Sequence, residues 1–135
     1  MSVTIEIKAG SRRVIATVPS GVRWAAFETA VLAAVNRAPV LTDWNWLIDD
    51  QGPMEDVDVE GMARIGEAFR ARTSQPPRPL YTVVVTRDRF FATWARVIDL
   101  NYGGRKHHSA PTKAAAAALL DRLEGGAPAP AGGLS

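Results

Sequence analysis

The chain has 135 residues, of which 47% are hydrophobic and 22% charged, with a formal net charge of +2. That length fits a single domain with a proper core. The absence of cysteine excludes disulfides and thiolate chemistry, and no apolar run is long enough to span a bilayer.

The charge pattern narrows the partners. The basic residues are mostly arginine, spread as Arg12–Arg13, Arg70/Arg72, Arg87/Arg89 and Arg105–Lys106. A nucleic-acid binder concentrates such charge on one face, so nucleic acid is not an expected partner. The opening MSVTIEIKAGS lacks the charged start and apolar centre of a signal peptide, and a cytoplasmic location is the expectation.

Val3–Lys8 and Val14–Val18 each alternate apolar and polar residues, and Ala9-Gly10-Ser11 between them supplies a turn. They read as a β-hairpin. Val22–Arg37 is alanine-rich, with Trp24, Phe27, Val31 and Val35 on one helical face, and Pro39 stops it. Trp44–Ile48 is the third strand, apolar enough for mid-sheet, with Asp49-Asp50-Gln51-Gly52-Pro53 as its exit loop. Asp58 is placed to cap a second helix, and Met62, Ile65 and Phe69 form its buried stripe.

A proline-rich link, Ser74–Pro79, leads to Leu80–Thr86, a β-branched run suited to a strand buried on both faces. Asp88 is placed to cap a third helix with Phe91, Trp94 and Ile98 inward, ended by the glycines at 103 and 104. Arg105–Ser109 is polar and reads as an edge strand. Thr112 caps a last helix, Lys113–Leu123, and Gly125–Ser135 is a low-complexity tail. The expected order is β-β-α-β-α-β-α-β-α: an α/β domain over residues 1–124, a mostly parallel five-stranded sheet with an antiparallel N-terminal hairpin and four helices, followed by a flexible tail over 125–135.

VTIEIKAGSRRVIATVPSGV, the WLIDDQG strand exit, LYTVVVTRDRFFATWARVIDL and the final TKAAAAALLDRL together resemble the STAS-like fold of anti-sigma-factor antagonists. The closer likeness is to the small bacterial SpoIIAA-like, or STAS/SEC14-like, proteins, and it covers residues 3–123. Antagonists of that family have a serine-bearing loop that a partner kinase phosphorylates. The matching segment here, Asp56-Val57-Asp58-Val59-Glu60-Gly61, has no hydroxyl, so a phosphoserine switch is not expected.

Two constellations bear on chemistry. Asp49, Asp50, Glu55, Asp56, Asp58 and Glu60 crowd one stretch, but an EF-hand aligned on Asp49 would put Met54 where the sharp turn needs glycine. His107 and His108, adjacent on a strand, point to opposite faces and cannot easily grip one metal. No G-x-S-x-G, G-x-G-x-x-G or Walker loop occurs. No metal, cofactor or catalytic group is therefore assigned.

The expected function is a non-catalytic interaction or regulatory module. Its acidic loop and second helix, with Asp56, Asp58, Glu60 and Met62, would contact a protein partner or a second copy in a homodimer. The alternative is a carrier or sensor of a small apolar ligand or lipid, using Trp46, Phe91 and Trp94, an idea that the SEC14-like resemblance supports. An enzyme is the remote third reading.

Overall fold

A computed structural model describes residues 2–52, 54–74, 79–88, 91–102 and 104–125, apart from the side chains of Ala92, Trp94, Val97, Leu100 and Asn101. The residues expected to form the C-terminal tail lie almost wholly outside that set. The elements in chain order are β1 (Thr4–Lys8), β2 (Arg13–Val18), α1 (Trp24–Arg37), a 3₁₀-helix (Pro39–Asp43), β3 (Asn45–Asp50), α2 (Val59–Arg72), β4 (Leu80–Val85), α3 (Phe91–Asn101), β5 (Arg105–Ala110) and α4 (Lys113–Glu124).

The five strands lie in the sheet in sequence order, β1-β2-β3-β4-β5. β1 and β2 are antiparallel, and the remaining neighbours are parallel. From β2 onward each crossover steps the same way across the sheet. Right-handed crossovers then place α1, α2 and α3 on one face. α4, which follows the last strand, covers the other.

The strand period of two sorts side chains between those layers. Val14, Val18 and Trp46 join Trp24, Phe27, Val31 and Val35 of α1 and Ile65 and Phe69 of α2 in one core. Leu47, Val83, Val85 and Ala110 pack with Ala116 and Leu120 of α4 in a second. The alanine-rich face of α4 lets that helix lie close to the sheet. Its last turn is tied down where Arg13 pairs with Glu124 and Asp121, and Asn45 Nδ2 donates to Glu124 at 2.8 Å. Asn45 Oδ1 in turn accepts from the Tyr81 N–H, so one buried amide links β3, β4 and α4.

Caps match their chemistry. Asp58 accepts from the Glu60 N–H at the start of α2, and Thr112 accepts from the Ala115 N–H at the start of α4. Arg23, at the N-cap of α1, supplies no capping side chain; Asp56 does so from across the fold, accepting from the Trp24 N–H at 3.0 Å. The turn into α1 places Gly21 at φ 90°, with the Val22 N–H donating to Pro19 O, a geometry that suits glycine.

Two expectations need correcting. Asp49 and Asp50 belong to β3 and not to its exit loop, because they remain in parallel register with Thr17 and Val18 of β2. Trp44 stands just before β3, at the end of the 3₁₀-helix, and packs against the same core as Trp46. The 3₁₀-helix itself carries no periodicity by which five residues could announce it; Pro39 at its start is the local signal. Asp88 meets α3 through its carbonyl, which accepts from the Phe91 N–H.

α1 and α2 cross at Gly61. A Cβ there would lie 2.9 Å from Trp24 Cε2 and closer still to Trp24 Nε1 and Glu28 Oε1. Trp24 Nε1 donates to Glu28, and Arg64 reaches the same carboxylate from α2, which holds the Glu28 carboxyl below its ordinary pKa. Gly61→Ala is expected to cost about 1–3 kcal/mol by overpacking this crossing. Urea unfolding followed by tryptophan fluorescence reads both the stability loss and the displaced indole.

Candidate functional site

The α1–α3 layer does not close fully on the sheet. Between them lies a cavity of about 490 Å³. The register of the strands builds its floor. Trp46, Thr82 and His107 stand in one row across β3, β4 and β5, and Ile48 and Val84 form the next. Asp50 ends the β3 column and Thr86 follows β4. Trp24, Phe27 and Val31 of α1, Met62, Ile65 and Phe69 of α2, and Phe91 and Ile98 of α3 form the walls and roof.

The cavity is long and has two different ends. Trp46 and Asp50 are four residues apart on one strand, so the floor runs roughly 13 Å at about 3.3 Å per residue. The inner end is closed by aromatic packing. Trp46 meets Phe69 edge-on at 5.3 Å between centroids, Phe69 meets Tyr102 at 5.5 Å, and Tyr102 meets the His107 ring at 4.6 Å. The outer end lies at the carboxyl ends of β3 and β4, where open α/β sheets place ligands. Its rim is the segment leading into α2 and its first residue, with Met54, Glu55, Val57 and Val59 all lining the space. Val57 and Val59 are exposed, at 43% and 60%.

The polar groups are few and placed at the two ends. At the inner end His107 Nδ1 lies 2.8 Å from Asp99 Oδ1, and the His107 backbone N–H donates to the same oxygen. A carboxylate only accepts, so the neutral ring carries its proton on Nδ1 and leaves Nε2 as an acceptor. Nε2 has no hydrogen-bond partner among the described residues. Burial, only partly offset by Asp99, pulls the His107 pKa down to about 4, so the ring is neutral at physiological pH. Burial also pushes the Tyr102 hydroxyl up, keeping it protonated.

At the outer end Asp50 Oδ1 is buried and lacks a hydrogen-bond partner among the described residues. Burial raises the Asp50 pKa, the Gly52 N–H opposes that, and neighbouring Asp49 adds to it. Buried acceptors without donors are uncommon. Asp50 Oδ1 is the one such atom among the described residues, and at the other end of the cavity His107, a lining residue, offers Nε2 as an acceptor.

The sequence-derived candidates fall in different places. Trp46 and Phe91 line the cavity together, whereas the Trp94 side chain lies outside the described residues. Asp56 and Asp58 are occupied internally: Asp56 caps α1 and pairs with Arg23, and Asp58 caps α2 and pairs with Arg64. Glu60 is exposed in the first turn of α2, and Met62 is half-buried in the cavity wall. The sequence singles out Asp50 and His107 only within groupings tested for metal binding, and Asp99 and Tyr102 not at all as site residues. A histidine on a strand has an even chance of facing either layer, so only the register with Thr82 reveals the inward one.

Among the described residues no three His, Asp or Glu side chains converge as a metal-binding group, and no helix is long and apolar enough to cross a membrane. Comparison with protein-family models, curated proteins and solved structures yields no match.

Proposed function

We propose that this domain holds a small, largely apolar molecule between its sheet and its α1–α3 layer, acting as a carrier or sensor without catalysing a reaction. The observation that carries this reading is the cavity of about 490 Å³, within the range of small-molecule sites and walled by Trp24, Phe27, Trp46, Met62, Phe69 and Phe91. A well-packed core leaves no such space, since interiors of this size pack at crystal-like density. The mixed sheet, with its antiparallel opening hairpin and parallel remainder, agrees with a STAS-like, SpoIIAA-like framework, and the SEC14-like side of that likeness fits a ligand carrier.

The interaction-module reading keeps one specific support: Val57 and Val59, exposed beside Glu60 on the rim. In a carrier that rim is where a partner protein would meet the loaded domain. The internal bonds of Asp56 and Asp58 assign those two carboxylates to holding the rim in shape.

Val84→Trp tests the ligand reading. Val84 sits mid-floor and is half-buried, so the indole would fill the cavity from below. The variant is expected to stay folded, at a cost of about 1–3 kcal/mol. Native mass spectrometry of protein purified from its own host should find the parent carrying a small molecule and the variant empty. A parent that is empty in the same measurement and binds no apolar probe would remove the proposal.

A further inference from the structure

The two ends of the cavity say more about what it holds. We infer, building on the ligand reading above, that the ligand is an uncharged molecule with an apolar body and a hydroxyl-type donor, seated with the donor toward His107 at the inner end, and that carboxylates of the same size are rejected.

Three observations converge. The lining includes Asp50, Glu55 and Asp88 but no lysine or arginine among the described residues. The nearest buried cation, Arg105, spends its guanidinium on other acceptors: Nη1 on Tyr81 O and Thr82 Oγ1, Nη2 on Thr42 O and Trp44 O. A carboxylate entering the cavity would lose its water and find no lysine or arginine in the lining to pair with it among the described residues, a costly transfer. It would also pass Asp50 and Glu55 at the outer end, where low-dielectric walls strengthen repulsion.

The inner end asks for a donor. Asp99 fixes the His107 tautomer so that Nε2 can only accept. The Tyr102 ring packs against the His107 ring at 4.6 Å, with Phe69 against Tyr102 and Trp46 against Phe69, and in such low-dielectric surroundings a hydrogen bond is stronger than in water. A hydroxyl satisfies Nε2 without bringing charge. An ether or an alkane of the same shape leaves it unmet, and sites with buried polar groups reject analogues that lack the partner.

Three matched probes test this: para-hexylphenol, para-hexylanisole and para-hexylbenzoate, titrated at neutral pH into the full chain. Quenching of Trp24 and Trp46, both lining residues, reports occupancy. The expected order is phenol tightest, anisole weaker by about tenfold, and benzoate weakest. His107→Phe should erase the margin of phenol over anisole, and Asp50→Asn should narrow the margin of anisole over benzoate. If His107→Phe fails to fold, His107→Gln, which keeps a polar side chain but not the fixed acceptor, takes its place. Benzoate binding as tightly as phenol, or anisole matching phenol, or margins that neither variant moves, would overturn the inference while leaving a ligand site intact. If none of the three probes saturates, the ligand reading itself fails.

Discussion

Arg105→Met is expected to lower the unfolding free energy by about 4 kcal/mol, a large share of the roughly 5–15 kcal/mol that typical domains possess. Arg105 opens β5 yet is only 3% exposed. Its guanidinium bonds at 2.7–3.0 Å to Thr42 O, Trp44 O, Tyr81 O and Thr82 Oγ1, and its carbon lies 5.1 Å from the Phe69 ring centroid. Burial draws its pKa down to about 10, so it remains cationic at neutral pH. None of the bonded partners is a carboxylate. An apolar residue can replace a buried ion pair at little cost when both partners go. Here three of the four acceptors are backbone carbonyls and cannot be removed with it. Each acceptor left unmet costs about 1–3 kcal/mol. Arg105→Lys, with a single compact ammonium, should recover part of the loss but not the fork that reaches the end of the 3₁₀-helix and β4 at once. Equilibrium urea unfolding decides: the midpoint should fall steeply with the slope unchanged. A midpoint like the parent's in Arg105→Met would show that water fills the site.

The second large effect is with acid. His107 has its pKa lowered from 6.5 to about 4 by burial. Between those values the unfolded chain binds a proton that the folded chain does not, so stability rises with pH through the window and falls as pH drops from 6.5 toward 4. The full displacement corresponds to about 3 kcal/mol. The His107 side chain is 6% exposed, so solvent screening takes little from that figure. Asp50, whose pKa is raised, works with the opposite sign: its burial cost is relieved as pH falls through its folded value. Asp50→Asn should therefore steepen the acid loss. His107→Asn, which can still donate to Asp99 but does not titrate, should flatten it. Unfolding free energies at several pH values from 7 to 4 test both; an identical slope in parent and His107→Asn would show that other groups govern the acid limb.

Much of the fold is legible in the residues. Alternation marks the opening hairpin, the β-branched run Leu80–Val85 marks a central strand, and Asp58 and Thr112 mark helix starts that the structure places one residue later. The edge position of β5 follows from its polarity. The failures share a cause. Asp49 and Asp50 look like loop because their side chains are charged, yet strand pairing is made by backbone and continues past them. Arg105 looks like surface, because nothing local signals that four acceptors from two other segments will converge on it.

The candidate site was half legible. Trp46 and Phe91 could be chosen as large apolar residues near the middle of the chain, and they meet in the cavity. The acidic stretch drew attention for its charge, but Asp56 finds its role in the N-terminus of α1, thirty-two positions away in sequence.

What the chain alone determined, then, is the element order and the division of each strand into two faces, because periodicity and capping are local properties that a short run of residues expresses by itself. The tertiary structure decided which layer His107 faces, where Arg105 spends its donors, and that the α1–α3 roof stands off the sheet over Ile48 and Val84. Those depend on register and on the distance between packed layers, and both are settled by contacts among residues far apart in sequence.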